Sequence, residues 1–312
     1  MFASTLTLGA DRTKLLAAFM ARLPLSAEME PHLRNALQQT LQHPGSLIRA
    51  QLVYQLSQAW GLAQDRAEKL AVGIEYFHTA SLIFDDLPCM DDATQRRGEP
   101  CLHRSFGEAA AILAALGLVN RAYALLWNGF SGSSLEQQAT AGAYVEKCLG
   151  VEGLLNGQSQ DLHYGRQPGP RLSPLQIATG KTVSLIRLSL VLPALLGGAE
   201  PVEIRQLERL AAFWGLSYQI LDDLKDVLQR PDQTGKNVAR DASLNRPNLA
   251  LAIGVPNACR RLNRLMHLSD CTLDRLVTHL PSLAFLNELR IRLRREAMGF
   301  QPVYLKSSNA LS

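Results

Sequence analysis

Residues 81–92 read SLIFDDLPCMDD, and residues 217–226 read SYQILDDLKD. In both stretches aspartates directly follow an apolar segment that has the composition of a buried helix. Removing several like charges from water is costly unless cations share the site, and hard divalent ions with oxygen ligands are the usual solution. Because Mg²⁺ keeps several waters and binds phosphate oxygens, the two clusters together predict a diphosphate held by metal ions, and therefore an enzyme.

Helical periodicity leads into both clusters. Small and apolar residues recur at three- and four-residue steps from Ala67 to Ser81, which predicts one long helix that ends near Asp85, just before Pro88. A second amphipathic run covers 201–228. It carries aspartates of the second cluster at an i, i+4 interval, a spacing at which like charges repel unless a cation intervenes.

The composition favours a single all-α domain. Aromatic residues make up 6% of the 312-residue chain. Leu and Ala, which are good helix formers, are abundant, and Gly and Pro cluster in a few places. The predicted breaks lie at 131–134, 163–174, 197–201 and 230–237, and none has the composition of a domain linker. We therefore expect one domain over residues 1–312, a helical bundle around a central cavity that both clusters line.

Charge and cysteine usage exclude several classes of protein. The net charge of +4 is too small for the electrostatic footprint of a nucleic-acid-binding protein. The five cysteines are scattered without a C-x-x-C pair, so reduced thiols are expected. The amino-terminal residues lack a signal-peptide pattern, and the most apolar stretch, 185–198, is shorter than the roughly 20 apolar residues of a membrane helix. We expect a cytoplasmic protein with no membrane span.

Basic residues accompany both acidic clusters. Arg96 and Arg97 follow the first cluster, whereas Lys181, Thr182 and Lys236 flank the second. An arginine offers a planar fork to phosphate oxygens and a lysine offers a compact charge, and both stabilise a departing pyrophosphate as its negative charge grows. The predicted chemistry is ionisation of the carbon–oxygen bond to a diphosphate.

Several further motifs occur in a fixed order along the chain. They are EYFHTASLIFDDLPCMDDATQRRGEP (75–100), FGEAAAILAA (106–115), GLLNGQSQDL (153–162), GKTVSLI (180–186), YQILDDLKDV (218–227) and TGKNVARD (234–241). In this order they resemble the polyprenyl synthetase family of trans-isoprenyl diphosphate synthases, and the spacing DDLPCMD is most similar to the bacterial geranylgeranyl type. The resemblance implies an all-helical homodimer in which two facing aspartate-rich motifs bind three Mg²⁺ around an allylic diphosphate.

The resemblance also implies roles for individual residues. The implied Mg²⁺ ligands are Asp85, Asp86, Asp91, Asp222, Asp223 and Asp226. The implied contacts to the allylic diphosphate are Arg96, Lys181, Thr182, Gln219 and Lys236, while Gln158 and Asp161 match polar residues of the cavity wall. The implied contacts to the second substrate, isopentenyl diphosphate, are Arg49, His78 and Arg97. A direct part in catalysis is implied for Asp85, Asp86, Arg96, Lys181, Asp222 and Lys236.

The residues just upstream of Asp85 bear on product length. In the resembled family a growing hydrocarbon descends beside this helix, and the positions that limit it are Ala80 and Ser81 here. Both are small, which predicts room for a long product, with Phe77 one turn deeper as the floor. We expect the product to be geranylgeranyl diphosphate.

The chain departs from the family pattern at two substrate-binding segments. A GGKRxRP-like segment is expected near the amino terminus, but residues 45–50 read GSLIRA, so Ser46 and Leu47 stand where two cations are expected. After the second cluster, Arg246 keeps the positive charge of a second substrate-binding segment, whereas Asn248 replaces a threonine. The missing cations keep two alternatives open: a class I terpene synthase or diphosphate lyase acting on one allylic diphosphate, and a modulatory subunit of a heteromeric prenyl synthase.

Overall fold

A computed structural model of the chain describes residues 9–165, 173–228 and 245–300. Its helices are α1 (Gly9–Ala21), α2 (Pro31–Gln42), α3 (Ile48–Ala59), α4 (Gln64–Asp85), α5 (Leu102–Phe130), α6 (Leu135–Leu149), α7 (Leu154–Leu162), α8 (Pro174–Ala178), α9 (Ser184–Leu196), α10 (Pro201–Leu228), α11 (Leu249–Ile253), α12 (Val255–His279) and α13 (Leu286–Met298). A π-helical turn (Thr179–Val183) joins α8 to α9, and a 3₁₀ turn (Pro281–Leu283) lies between α12 and α13. The prediction of an all-α fold is confirmed.

The only β-structure in the described residues is a small hairpin between α4 and α5. Its strands are β1 (Gln95–Arg96) and β2 (Glu99–Pro100), which pair antiparallel with Arg96 opposite Glu99. The two residues between them, Arg97 and Gly98, both have positive φ, 59° and 88°. Such a turn matches the twist of the strands it joins, and it usually takes Asn or Gly at its first position. The arginine at that position is therefore a local exception.

The predicted long helices are present at the predicted places. The helix that leads to the first cluster is α4, which ends at Asp85, and the run 201–228 forms α10. The apolar stretch 185–198 forms most of α9, with Leu188, Leu190, Val191 and Leu192 fully buried. All five cysteines are free thiols, as predicted.

The chain divides into two compact units. The first comprises the residues up to Gly142 together with Pro193–Gly198, and the second comprises Ala143–Leu192 and the residues from Ala199 onward. In the first unit, α4 packs along α5, and small residues at the crossing let the two backbones approach. A Cβ atom on Gly73 of α4 would lie 3.1 Å from the carbonyl oxygen of Ala122 on α5. The prediction of one domain remains a prediction.

In the second unit, the end of α10 packs against α11, α12 and α13. Its buried core consists of Ile220, Leu221, Leu224, Leu249, Ala250, Ala258, Cys259, Leu262, Leu265, Ala297 and Phe300. This core fixes the last two turns of α10, which carry the second acidic cluster. The site residues on α10 are therefore held by well-packed neighbours.

Two apolar segments pass a test for membrane-spanning helices by length and composition alone: Leu102–Phe130 and Pro174–Leu196. Core helices of soluble proteins pass the same test, so the result is weak evidence. In the second segment, 61% of the most apolar window is buried inside the protein. Its apolar side chains are largely accounted for by packing within the fold.

Candidate active site

The first acidic cluster lies where α4 ends. After Asp85 the chain turns back on the helix end: the backbone N–H of Asp91 donates to the carbonyl oxygen of Asp85 at 3.0 Å, and that of Ala93 donates to Asp86 at 3.2 Å. Asp92 adopts a left-handed conformation (φ 45°) within this turn. The insertion between the two aspartate pairs thus forms a compact loop, and it brings Asp91 beside Asp85.

Arg96 holds the buried carboxylate of Asp86. The guanidinium donates from Nε to Oδ2 at 2.7 Å and from Nη2 to Oδ1 at 2.6 Å, and only 4% of Asp86 is exposed. Burial lowers the pKa of Arg96, but the hydrogen bonds and the charge of Asp86 raise it more. Two parallel charge-assisted bonds make this the strong geometry for an arginine–carboxylate pair. A predicted diphosphate contact and a predicted metal ligand are therefore bound to each other.

Asp92 and Arg104 form a different kind of pair nearby. Arg104 donates from Nη2 to Oδ1 of Asp92 at 2.9 Å, with about half of each side chain exposed. Exposed pairs contribute little to stability. Asp92 thus caps the loop from outside, consistent with its absence from the predicted ligands.

Arg49 and His78 are in direct contact. Nη1 of Arg49 lies 2.9 Å from Nε2 of His78. Because a guanidinium can only donate, Nε2 must accept, so the imidazole is neutral and carries its proton on Nδ1. Desolvation, and then the charges of Arg49, Arg97 and Arg96, hold the pKa of His78 well below its ordinary value. The three residues predicted to bind isopentenyl diphosphate therefore lie in one electrostatically coupled group.

Glu75 is a site residue that sequence reasoning missed. It lies on α4 one turn before His78, is 2% exposed, and accepts the backbone N–H of Ala50 through Oε2 at 2.9 Å. Desolvation raises its pKa, opposed by the charge of Arg49, the hydrogen bond from Ala50 and the charge of Arg97. A glutamate three residues before a histidine, on a helix face of buried residues, was the available signal.

The altered segment GSLIRA has a clear structural role. Leu47 is fully buried with φ 53° and is the residue before α3, whereas the carbonyl oxygen of Ser46 accepts from Gln51 Nε2 at 2.9 Å. A cation could not replace Leu47 without entering the core. The position of Leu47 is therefore committed to packing, and the positive charges of this region come from Arg49 and Arg97.

The predicted chain-length residues lie on α4 as expected from their spacing. Ala80 is fully buried, and Ser81 donates its hydroxyl to the carbonyl oxygen of His78 at 2.8 Å. Phe77 is almost fully buried and packs edge-to-face against Tyr123 of α5, with ring centroids 6.1 Å apart. Tyr123 is a neighbour of the predicted floor that the sequence did not identify.

In the second unit, two glycines bring α7 against the π-helical turn. A Cβ atom on Gly180 would lie 2.8 Å from the Cα of Gly157, so the backbones touch there. This contact places Lys181 beside Asp161, and Nζ donates to Oδ2 at 2.6 Å. Nε of Arg246 lies 3.9 Å from the same oxygen. Short π-helical insertions are frequently found at functional sites.

A hydrogen-bonded chain connects the π-helical turn to α10 and α11. Thr182 donates to Oε1 of Gln219 at 2.7 Å, and Nε2 of Gln219 donates to Oδ1 of Asp223 at 2.8 Å. Oδ2 of Asp223 accepts the backbone N–H of Leu249 at 2.7 Å, and Asn248 donates to the Asp223 carbonyl oxygen at 3.2 Å. Asn248 also caps α11. The predicted contacts Thr182 and Gln219 and the predicted ligand Asp223 therefore form one network.

The remaining predicted residues of this unit have different surroundings. Asp222 is exposed and Asp226 is partly buried on α10, while Gln158 is partly buried on α7 one turn before Asp161. Lys236 lies outside the described residues, so its predicted role stays a prediction. The predicted residues of the first cluster belong to the first unit, and those of the second cluster belong to the second.

The donor chemistry of both clusters fits Mg²⁺, because every predicted ligand is a carboxylate and hard cations prefer oxygen. Across the described ranges, no three carboxylate, histidine or cysteine side chains converge on a common point suitable for a metal. Asp86 is bound to Arg96, and Asp223 is bound to Gln219 and Leu249. Ion binding would therefore require carboxylates of each cluster to turn toward the ion.

Comparison with known proteins identifies the family. Residues 30–271 match the Polyprenyl synthetase family. The chloroplastic geranylgeranyl pyrophosphate synthase of Capsicum annuum is 34% identical over 231 residues, which are 73% of this chain and 63% of that protein. The farnesyl diphosphate synthase of Geobacillus stearothermophilus is 35% identical over 240 residues, 74% of this chain and 78% of that protein. The chain thus spans less than two thirds of the length of the Capsicum annuum relative.

The fold is also similar to solved structures. A geranyltransferase from Helicobacter pylori, solved in complex with magnesium and isoprenyl diphosphate, has a TM-score of 0.76 at 25% identity, with 90% of this chain and 93% of that chain covered. A geranyltranstransferase from Thermotoga maritima has a TM-score of 0.73 at 25% identity and covers 91% and 97%. The family match over residues 30–271 and the relatives above 30% identity lead to one conclusion: this chain belongs to the polyprenyl synthetase family.

Proposed function

We propose that the chain is a trans-prenyltransferase that condenses isopentenyl diphosphate with an allylic diphosphate. The observation that carries the proposal is the group formed by Arg49, His78 and Arg97. It provides two guanidinium groups and a neutral imidazole in the same unit as the first acidic cluster. An enzyme that ionises a single diphosphate has no need of this second cationic group.

Ionisation of the allylic substrate comes first. Asp85, Asp86 and Asp91 in one unit, and Asp222, Asp223 and Asp226 in the other, would hold Mg²⁺, with three ions expected from the family resemblance. When bound, the metal would neutralise the charge that develops on the departing pyrophosphate. By the family resemblance, Arg96 and Lys181 would each donate to the diphosphate, and Gln219 and Thr182 would orient it. To make these contacts, Arg96 would exchange its pairing with Asp86 for the substrate, and Lys181 would likewise exchange its pairing with Asp161.

Carbon–carbon bond formation follows. The terminal carbon of the isopentenyl double bond attacks the first carbon of the allylic cation, which leaves a tertiary cation on the isopentenyl unit. The neighbouring carbon of that unit then loses a proton to the released pyrophosphate, which forms the new double bond. Arg49, Arg97 and His78 hold the diphosphate of the attacking substrate. Because a cation and a double bond must meet in one orientation, alignment and exclusion of water account for most of the remaining acceleration.

The proposed product is geranylgeranyl diphosphate. The family resemblance makes Ala80 and Ser81 the positions that limit product length, and their small side chains support a product longer than farnesyl diphosphate. Replacing Ala80 with Tyr adds a bulky ring one turn closer to the diphosphate, so the main product should shorten to farnesyl diphosphate. Reverse-phase analysis of labelled products measures this, with Ala80→Ser as the control of nearly unchanged volume. An unchanged product in Ala80→Tyr would contradict the role of Ala80.

Two alternatives make different predictions in one assay. Purified protein is incubated with Mg²⁺, farnesyl diphosphate and labelled isopentenyl diphosphate. A longer labelled diphosphate supports the condensation. An unlabelled hydrocarbon or alcohol would indicate a terpene synthase or diphosphate lyase, which Ser46 and Leu47 favour. Turnover only after addition of a partner subunit would indicate a modulatory subunit.

We also propose a homodimer of single-domain chains in the cytoplasm. An apolar stripe on α5 supports the dimer: Leu113, Leu116, Tyr123 and Trp127 recur at helical spacing, and Trp127 is 70% exposed. A large exposed apolar patch usually marks an interaction site. Light scattering on the purified chain distinguishes a dimer from a monomer, and Trp127→Glu with Leu116→Glu should shift the mass to that of a monomer.

A further inference from the structure

The guanidinium of Arg97 lies directly against the backbone of Gly45. A Cβ atom at position 45 would come 2.6 Å from Nη2 and even closer to Nη1 and Cζ. Nη1 also donates to the carbonyl oxygen of His43 at 3.3 Å. Gly45 has φ 74°, so both its conformation and its missing side chain suit this place.

Burial and neighbouring charges also act on the guanidinium of Arg97. Burial lowers the pKa of Arg97, opposed first by the charge of Glu75, and the charges of Arg96 and Arg49 lower it further. The charges of Arg96 and Arg49 thus repel Arg97, and the buried carboxylates of Glu75 and Asp86 attract it. Without a steric stop, the guanidinium would have a wide choice of positions, because the arginine side chain is long and flexible.

Arg97 also stands in an unusual backbone conformation, with φ 59° at the first position of the hairpin turn. A left-handed conformation is unfavourable for a residue with a Cβ atom. Strained positions of this kind cluster at functional sites, where surrounding contacts maintain them. The strained backbone fixes the point from which the side chain of Arg97 extends, and the contact with Gly45 limits the positions of its guanidinium.

Ser46 and Leu47 stand where the family pattern has two cations, so binding of a second diphosphate depends more strongly on Arg97. Among the described residues, the charges of Arg49, Arg97 and Arg96 act on His78, and because Arg96 is paired with Asp86, Arg49 and Arg97 remain for a second diphosphate. If Arg97 is displaced, one of the two positive charges proposed to hold the second diphosphate is therefore out of place.

We propose that Gly45 is a positioning residue for isopentenyl diphosphate binding: its bare Cα fixes the guanidinium of Arg97 in the orientation that receives the diphosphate. The inference rests on the proposed condensation. It concerns Gly45 and Arg97 alone, and no contact between Gly45 and substrate is required.

The test compares Gly45→Ala with Gly61→Ala. Gly61 has a similar φ of 71° but no atom within 4 Å of the position of a Cβ, so the two substitutions introduce the same backbone strain. Only the first displaces Arg97, and the displaced atoms are the far end of a flexible side chain. We expect the KM for isopentenyl diphosphate to rise at least about tenfold in Gly45→Ala, the range for one charge-assisted hydrogen bond, with the KM for farnesyl diphosphate unchanged. Gly61→Ala should leave both KM values unchanged.

A double variant tests whether Gly45 acts through Arg97. If it does, Gly45→Ala combined with Arg97→Ala is no worse than Arg97→Ala alone, since contacting residues are not additive. Binding of isopentenyl diphosphate by calorimetry, without turnover, gives the same comparison. Should Gly45→Ala alone fail to fold, the double variant, in which the overlap is absent, must still fold as Arg97→Ala does.

Three results would overturn the inference: equal KM changes in Gly45→Ala and Gly61→Ala, additive effects in the double variant, or a double variant that unfolds while Arg97→Ala does not. Failure of the proposed function is recognised separately. In that case the unaltered protein neither binds isopentenyl diphosphate nor incorporates its label.

Discussion

At the end of α4, Asp86 shares its buried carboxylate with the guanidinium of Arg96, whereas near the end of α10 the equally buried Asp223 accepts from the amide of Gln219 and the backbone N–H of Leu249. Both are the second aspartate of a DDL motif. In the first region a movable cation neutralises the carboxylate, and in the second region neutral donors that belong to the fold stabilise it. The same three letters are therefore stabilised in two ways: by an ion pair with an arginine of the hairpin, and by a hydrogen-bonded junction that joins α10 to α11.

The largest expected effect comes from breaking the first pair. Arg96→Met leaves the carboxylate of Asp86 buried without its cation, and removing one partner of a buried pair costs about 3 kcal/mol of unfolding free energy or more. Condensation activity should also be lost, since the side chain is a proposed diphosphate contact. Urea denaturation and the labelled-substrate assay measure the two effects.

Arg104→Met provides the matched control, because Arg104 pairs with Asp92 in the same loop but both side chains are about half exposed. That change should cost less than about 1 kcal/mol. Equal destabilisation by the two substitutions would mean that burial does not distinguish the pairs.

The second region offers two adjacent residues that are both proposed Mg²⁺ ligands, Asp222 and Asp223, of which Asp223 is also bound by the fold. Asp223→Ala leaves Leu249 N–H and Gln219 without their acceptor, which should cost about 2 kcal/mol of unfolding free energy. Asp222→Ala affects an exposed side chain and should change stability by no more than about 0.5 kcal/mol. It should instead raise the Mg²⁺ concentration needed for half-maximal activity. If Asp222→Ala destabilised the fold as much as Asp223→Ala, the assignment of a structural role to Asp223 would be wrong.

Local sequence predicted much of the structure at the ends of α4 and α10, but the two regions differ in how much of it could be predicted. The apolar periodicity and Pro88 predicted the end of α4 near Asp85, and the structure confirms it. The i, i+4 spacing on α10 correctly predicts that Asp222 and Asp226 share a face. It could not indicate that Asp223 is the residue turned inward, because that depends on Leu249 of α11, which lies 26 residues later in the chain.

The other features that the sequence did not predict also depend on contacts between distant parts of the chain. Glu75 is buried because α3 covers it, and Gly45 is restricted because the hairpin places Arg97 against it. Neither contact produces a periodic pattern in the sequence from which it could have been predicted. The departure at Leu47 was visible in sequence only as a missing charge, whereas the structure adds that this position is fully buried and directly precedes α3.

The smallest expected effect concerns the pH dependence of the first region. The pKa of His78 is depressed in the folded chain by desolvation and by Arg49, Arg97 and Arg96, so the unfolded chain binds more protons as the pH falls below the ordinary histidine pKa. Stability should therefore be unaffected by His78 above about pH 7 and should fall at lower pH, by about 1 kcal/mol at pH 5.5 for an unfolded pKa near 6.5. His78→Gln removes this dependence, so the difference in unfolding free energy between the variant and the unaltered chain should shift in favour of the variant as the pH is lowered from 7 to 5.5. Arg49→Met, which removes the nearest cation, should reduce the acid sensitivity without abolishing it. A difference that stays constant over this range would mean that the folded and unfolded chains bind the same number of protons at His78, and therefore that its pKa is not depressed in the fold.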